Sequence, residues 1–154
     1  MTTFYLDTSV ALRALLGHSP SAAAWIDQVT AQDEHLVVSS RLLRTELTRV
    51  LRREGLPVNR RDKILDVLSL APITEGVLAA AEAIQPHLKT LDAIHLGSVI
   101  AAGLDATIIS HDAAMLAAAA SLGYPTYDPV AEKQSNLCQR GGPNQRPVRR
   151  HPAD

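Results

Sequence analysis

The sequence predicts a single-domain α/β protein whose parallel sheet is flanked by helices. Three observations carry this. Short apolar or β-branched runs at 4–6, 36–38, 70–73, 106–109 and within 124–128 alternate with longer stretches of helical periodicity, and strands joined by helices are the pattern of a parallel sheet. A length of 154 residues suits one domain. Hydrophobic residues at 46% with aromatics at only 3% describe a globule whose core is Leu, Ile, Val and Ala.

Phe4-Tyr5-Leu6 is the first strand and delivers Asp7 to its end, where Thr8 and Ser9 suit the cap of a helix from Val10 to Leu16. His18-Ser19-Pro20 breaks the chain before a helix from Ser21 to Thr30, with Trp25 expected in the core. Leu36-Val37-Val38 is the second strand. Ser39-Ser40 should cap the helix that continues through Glu54 and stops at Gly55. At about 100° per residue, Leu43, Leu47, Val50 and Leu51 form its buried stripe, while Arg41, Arg49 and Arg52 gather on another side. Glu46 stands on the border, so its carboxylate should enter a crevice at the edge of the core. Pro57 to Leu68 reads as a further helix with Asn59 placed to cap it, and Leu70 to Ile73 as an edge strand, since Pro72 lacks a ladder donor.

Thr74-Glu75 opens an Ala-rich helix ending near Pro86. Thr90 is then placed to cap a helix that runs to Gly103 and carries Leu91, Ile94, Leu96, Val99 and Ile100 on nearly every side, which predicts burial. Asp92 is the odd residue there. A buried, unpaired carboxylate is expensive and needs a helix amino terminus, a cation or a proton. His95, one turn on, is expected to orient that acid or to satisfy a core hydrogen bond. Ala106 to Ile109 is the fourth strand; it ends in Ser110-His111-Asp112 before an Ala-rich helix to Leu122, repeating the strand, hydroxyl, acid and helix of the amino terminus. Gly123 to Asp128 supplies a turn and the last strand. Residues 131–154, with Gly141-Gly142, several prolines and arginines and no apolar periodicity, predict a basic, flexible tail behind a domain of residues 1–130.

In such a sheet the strand ends share one edge, where ligands bind. That edge should collect Asp7, Glu46, Asp92 and Asp112. Carboxylates at about 5 Å repel by roughly 3 kcal/mol per pair at an effective dielectric of about 20, and no lysine is placed to offset them. A divalent cation bound through oxygens is the economical solution, and Mg²⁺ or Mn²⁺ suits an all-carboxylate set.

The set Leu6-Asp7-Thr8-Ser9, Arg44-Thr45-Glu46-Leu47, Leu91-Asp92-Ala93-Ile94-His95-Leu96 and Ser110-His111-Asp112 resembles the PIN-domain ribonucleases, most closely the VapC toxins of bacterial toxin–antitoxin modules. The likeness covers about residues 3 to 129. It implies a five-stranded parallel sheet flanked by helices, a homodimer, RNA as substrate and a cognate antitoxin protein as partner. It further implies an endoribonuclease with one or two Mg²⁺ or Mn²⁺ ions, whose acidic quartet is Asp7, Glu46, Asp92 and Asp112. Ser110 stands where the family commonly has Thr and keeps the hydroxyl; Thr8 and His95 are expected to support the acids.

Charge and composition bound the alternatives. Residues 1–130 carry 14 acids against 10 cations, whereas residues 131–154 carry 5 cations against 2 acids. Eight of the ten cations lie between Arg41 and Lys63, and from this run Arg41, Arg44, Arg49 and Arg52 are the candidate RNA-binding residues. Cys138 is the only cysteine, which excludes an intramolecular disulfide and a multi-cysteine zinc site. A cytoplasmic protein is expected, with neither a signal peptide nor a membrane span: the apolar tract 113–120 is far shorter than the roughly 20 residues a helix needs to cross a bilayer. An aspartyl-phosphate phosphotransferase also places an Asp after strand one, but wants a later lysine that is missing here. The remaining alternative is a non-catalytic RNA- or partner-binding protein of the same fold, for which loss of an acid would be the expected mark.

Overall fold

The computed structural model describes residues 1–131. The expected basic tail and Cys138 lie outside the described residues. Five parallel strands, β1 (Thr2–Leu6), β2 (His35–Ser40), β3 (Ser69–Ala71), β4 (Ala106–Ile109) and β5 (Thr126–Tyr127), form one sheet in the order β3-β2-β1-β4-β5. The helices are α1 (Thr8–Leu15), α2 (Pro20–Thr30), α3 (Arg41–Arg53), α4 (Asp62–Leu65), α5 (Glu75–Ala83), α6 (Thr90–Ala101) and α7 (Ala113–Ser121). This is the predicted fold class.

Alternation along each strand divides the core. Leu6, Val37 and Ile109 face a cluster with Val10, Ile26, Leu43, Leu47 and Ile64 from α1 to α4. Tyr5, Val38 and Ile108 face the opposite cluster with Leu96, Val99, Met115 and Ala119 from α6 and α7. The three central strands therefore bury both faces, as the middle of a parallel sheet requires. Trp25 is half-buried at the rim of the first cluster, edge-on to Phe4 at 5.5 Å between ring centroids.

The caps explain several boundaries. Ser19, Ser40, Thr74 and Asp112 each accept a hydrogen bond from the first turn of α2, α3, α5 and α7. Gly55, at φ 67°, leads the chain out of α3 in a conformation that a side chain would strain.

Some expectations are corrected. Thr8, Ser9 and Thr90 do not cap: Thr8 and Thr90 are the first residues of α1 and α6, and no side chain caps either helix. Residues 57–68 are not one helix but a 3₁₀ turn (Val58–Arg61) and the single turn of α4, and no side chain caps the turn, so Asn59 plays no such part. α6 is not buried all round, since Leu91 is 47% and Ile100 37% exposed. Among the described residues no helix is long and apolar enough to cross a membrane.

Candidate active site

The order of strands reverses between β1 and β4, the position at which open α/β sheets bind ligands beyond their carboxyl ends. Leu6 and Ile109 are register partners, so the residues after them, Asp7 and Ser110, emerge side by side. The Asp7 amide continues the ladder to the Ile109 carbonyl at 2.9 Å. A helix that returns between parallel strands starts at the edge where the strands end, which brings the first turn of α6, with Asp92, to the same place. Glu46 comes from the second turn of α3.

Asp7 is buried, at 2% exposure, and does not cap the helix it precedes. Its Oδ2 accepts from Ser9 Oγ and Ser110 Oγ, both at 2.8 Å. Each serine oxygen in turn accepts a backbone N–H of the loop after β4, Ser9 from His111 at 2.9 Å and Ser110 from Asp112 at 3.0 Å. With their acceptor sides so occupied, both hydroxyl hydrogens are directed at Asp7, and one of its oxygens is fixed.

Glu46 meets a second set. Its Oε1 accepts from Thr8 Oγ1 at 2.8 Å and lies 2.7 Å from His95 Nε2. His95 is 1% exposed, with Nε2 also 2.9 Å from Thr8 Oγ1 and Nδ1 2.8 Å from the Tyr5 hydroxyl. The imidazole thus orients Glu46, on another helix, where the sequence suggested Asp92, on its own. No arginine pairs with Glu46 among the described residues. Asp112 divides its roles: Oδ1 caps α7 through the Met115 amide at 2.9 Å. His111 beside it is held by Asp128, Nδ1 to Oδ2 at 2.8 Å.

Asp92 alone has no hydrogen bond holding its carboxylate among the described residues. Its pKa is raised, first by partial burial, then by the negative charge of Asp7 and Asp112 and, more weakly, of Glu46, with His95 opposing. The four acids therefore share one electrostatic neighbourhood. Burial also pushes the Tyr5 hydroxyl up, so it stays protonated.

Two contributors escape sequence reasoning. Ser9 reads only as a cap, because a hydroxyl after a strand signals one. Tyr5 reads as core from its neighbours and shows its polar end only through α6. Arg61, already part of the basic run between Arg41 and Lys63, joins the arginines of α3 from a separate segment: Arg41, Arg44, Arg49, Arg52 and Arg61 surround one depression of about 310 Å³ on the outer face of that helix.

The donor set fits a hard divalent cation, being all carboxylate oxygen, hydroxyl-supported, and in mutual repulsion that a cation would relieve. Among the described residues no three His, Cys, Asp or Glu side chains are grouped so as to hold an ion in the present arrangement. Hydrogen bonds fix one oxygen each of Asp7, Glu46 and Asp112 and leave Asp92 free to adjust.

Residues 4–121 match the PIN domain. The chain is 33% identical over 133 residues to ribonuclease VapC47 of Mycobacterium tuberculosis, spanning 82% of this chain and 97% of that protein. Solved structures of the same fold include VapBC2 from Rickettsia felis bound to a promoter DNA fragment (TM-score 0.65, 12% identity, 82% of this chain and 98% of that one). A toxin–antitoxin complex from Klebsiella pneumoniae is another (TM-score 0.61, 16% identity, 82% and 97%). The strand order, the acids at the sheet's switch point and these matches agree that the chain belongs to the PIN-domain family.

Proposed function

We propose that the protein is a divalent-metal-dependent endoribonuclease, the toxin of a type II toxin–antitoxin pair, built as a nuclease domain of residues 1–130 with a basic tail. The observation that carries this is the pairing of Asp7 and Asp112 behind the neighbouring strands β1 and β4, joined through Ser110, at the edge to which α6 brings Asp92 and α3 brings Glu46; the raised pKa of Asp92 supports it. The similarity to ribonuclease VapC47 supports the reaction. The toxin–antitoxin complexes of the same fold support a cognate antitoxin protein as partner. A homodimer is part of the same reading.

Asp7, Asp92 and Asp112, with Glu46 assisting, would hold one or two Mg²⁺ or Mn²⁺ ions. Such ions supply an activated water and offset charge on a phosphodiester. The chain's own residues prepare the site. Ser9 and Ser110 hold Asp7 on one oxygen, so that the other is presented in a fixed direction. Thr8 and His95 do the same for Glu46, which is then positioned to accept a proton from water. The α7 cap sets Asp112.

Asp7→Asn keeps the serine contacts but removes the charge, and should reduce cleavage of RNA in Mg²⁺ or Mn²⁺ by at least about a hundredfold while the circular dichroism spectrum and melting temperature are retained. Wild-type protein in excess EDTA should be equally inactive. Full activity under either condition would remove this reading, and RNA retained without cleavage in both metals would put a non-catalytic RNA-binding role in its place.

A further inference from the structure

The arginine-lined depression on α3 has no counterpart in the chemistry proposed above. Its wall is Arg41, Arg44, Arg49 and Arg52 from α3 and Arg61 from the 3₁₀ turn packed beside it, and its only other lining is Thr45 and Thr48. No carboxylate lines it. Among the described residues, Arg61 alone of the five arginines has an acid within ion-pair reach, Asp62 at 3.9 Å. Arg61 is held in place by donating to Thr48 Oγ1, and its Nε is buried without a hydrogen-bond partner among the described residues. Arg41 donates to Thr45 Oγ1 at 3.2 Å. The remaining guanidinium donors face solvent, and like charges gathered this closely repel one another, which an anion in the depression would reverse.

We infer that this depression is a phosphate-backbone subsite, which holds single-stranded RNA on the outer face of α3 while the scissile phosphate lies at the acidic edge. The inference rests on the ribonuclease reading and adds where the substrate is gripped. The lining argues for nucleic acid over an acidic protein segment: a peptide groove offers pockets walled by apolar residues, and this one is walled by arginine and threonine side chains. On a helix wheel Arg49 lies between Glu46 and the other arginines, so a strand leaving the acidic edge passes Arg49 first. An acidic catalytic edge and a cationic grip on one helix also explain how a body with net charge −4 engages a polyanion.

The test uses the full chain carrying Asp7→Asn, so that RNA is bound and not cut, with a fluorescent single-stranded RNA read by anisotropy in EDTA. Arg44→Glu with Arg52→Glu should weaken binding at least about tenfold at low salt. The same pair should flatten the slope of log affinity against log salt by about 0.7 for each phosphate that is no longer neutralised. Arg61→Gln should weaken it less, and Gln28→Glu, on α2 and outside the groove's lining, should leave affinity within about twofold. Unchanged affinity and slope in the double variant, with an unchanged melting temperature, would overturn the subsite. So would displacement of a bound acidic peptide by these changes with no effect on RNA. The two readings separate cleanly. Cleavage by wild-type protein with groove-independent binding would sink the subsite and keep the nuclease, and groove-dependent binding without any cleavage would do the reverse.

Discussion

Glu46 and Thr8 decide which nitrogen of His95 donates, and Tyr5 serves the other. Thr8 spends its single hydrogen on Glu46, so at Nε2 the imidazole faces a carboxylate oxygen and a hydroxyl oxygen, both acceptors, and must donate there. A neutral ring then accepts at Nδ1, which the Tyr5 hydroxyl satisfies. Tyr5→Phe should leave a buried nitrogen unpaired at a penalty of about 1–3 kcal/mol, seen as a melting temperature lowered by about 2–4 °C for each kcal/mol. Cleavage should fall as well, because the ring loses the contact that anchors its far side and holds Glu46 less firmly. His95→Gln, which keeps a donor near Glu46, should retain more activity than His95→Ala; equal activity of the two would show that the imidazole only fills space. Asp92 makes the opposite prediction. Its raised pKa means that the folded chain binds this proton more tightly than the unfolded one. The group favours folding as pH falls through the folded value and opposes it once ionised. Asp92→Asn should therefore stabilise the metal-free protein at pH 7, by less than about 1 kcal/mol since the group is only partly buried and is screened by solvent. At a pH low enough to protonate Asp92 the gain should vanish. Saturating Mg²⁺ should stabilise wild type more than the variant. A variant no more stable than wild type in EDTA at pH 7 would refute the repulsion.

At the scale of elements, α6 does two jobs, and one residue makes them compatible. It must lie close to α5 while projecting Asp92 and His95 toward the sheet's edge. A Cβ built on Gly97 would stand 2.8 Å from the Val77 carbonyl oxygen and 2.9 Å from the Ala81 nitrogen, both backbone atoms that cannot step aside singly. Gly97→Ala gains about 1 kcal/mol of helix propensity but overpacks the interface, at a cost of about 1–3 kcal/mol. The expected net is a lower melting temperature together with reduced cleavage, because any shift of α6 moves both site residues. A more stable, fully active variant would show that the helices do not meet so closely. The elements also show where the sequence is legible. Strand ends and the acids behind them are readable from β1 and β4, where a β-branched or apolar run stops at a hydroxyl and a carboxylate. Caps are readable at Ser40 and Thr74 but not at Thr8 or Thr90. There tertiary partners or a one-residue shift of the helix start take over, and local propensity carries no trace of either. Residues 57–68 mislead because their apolar spacing suits a helix, while only Ile64 is fully buried.

At the scale of the molecule, burial extends past the last strand. Val130 packs against the first core cluster with Tyr127, and Asp128 ties the chain back through His111 and through the amides of Val130 and Ala131. These interactions attach the segment after β5 to the sheet and its first core cluster. They also restrain the loop that carries Asp112, so the segment after β5 and the acidic edge are mechanically joined. The boundary proposed at 130 rests on composition alone, on the loss of apolar periodicity after Val130. The sequence does not show the link to the site, because His111 and Asp128 are 17 positions apart and neither has a motif of its own. A chain ending at Ala131 should fold with a melting temperature within about 2 °C of the full chain, a difference worth under about 1 kcal/mol, and should keep metal-dependent cleavage. A chain ending at Leu122 removes β5, Val130 and Asp128 together. It should lose several degrees of melting temperature and most of its activity even where it remains folded. His111→Ala in the full chain isolates the local part of that effect: its own stability loss should be modest, while the loop before α7 is released and cleavage declines. If the Ala131 chain melts well below the full chain, residues 132–154 belong to the folded unit and the domain boundary proposed at 130 is wrong.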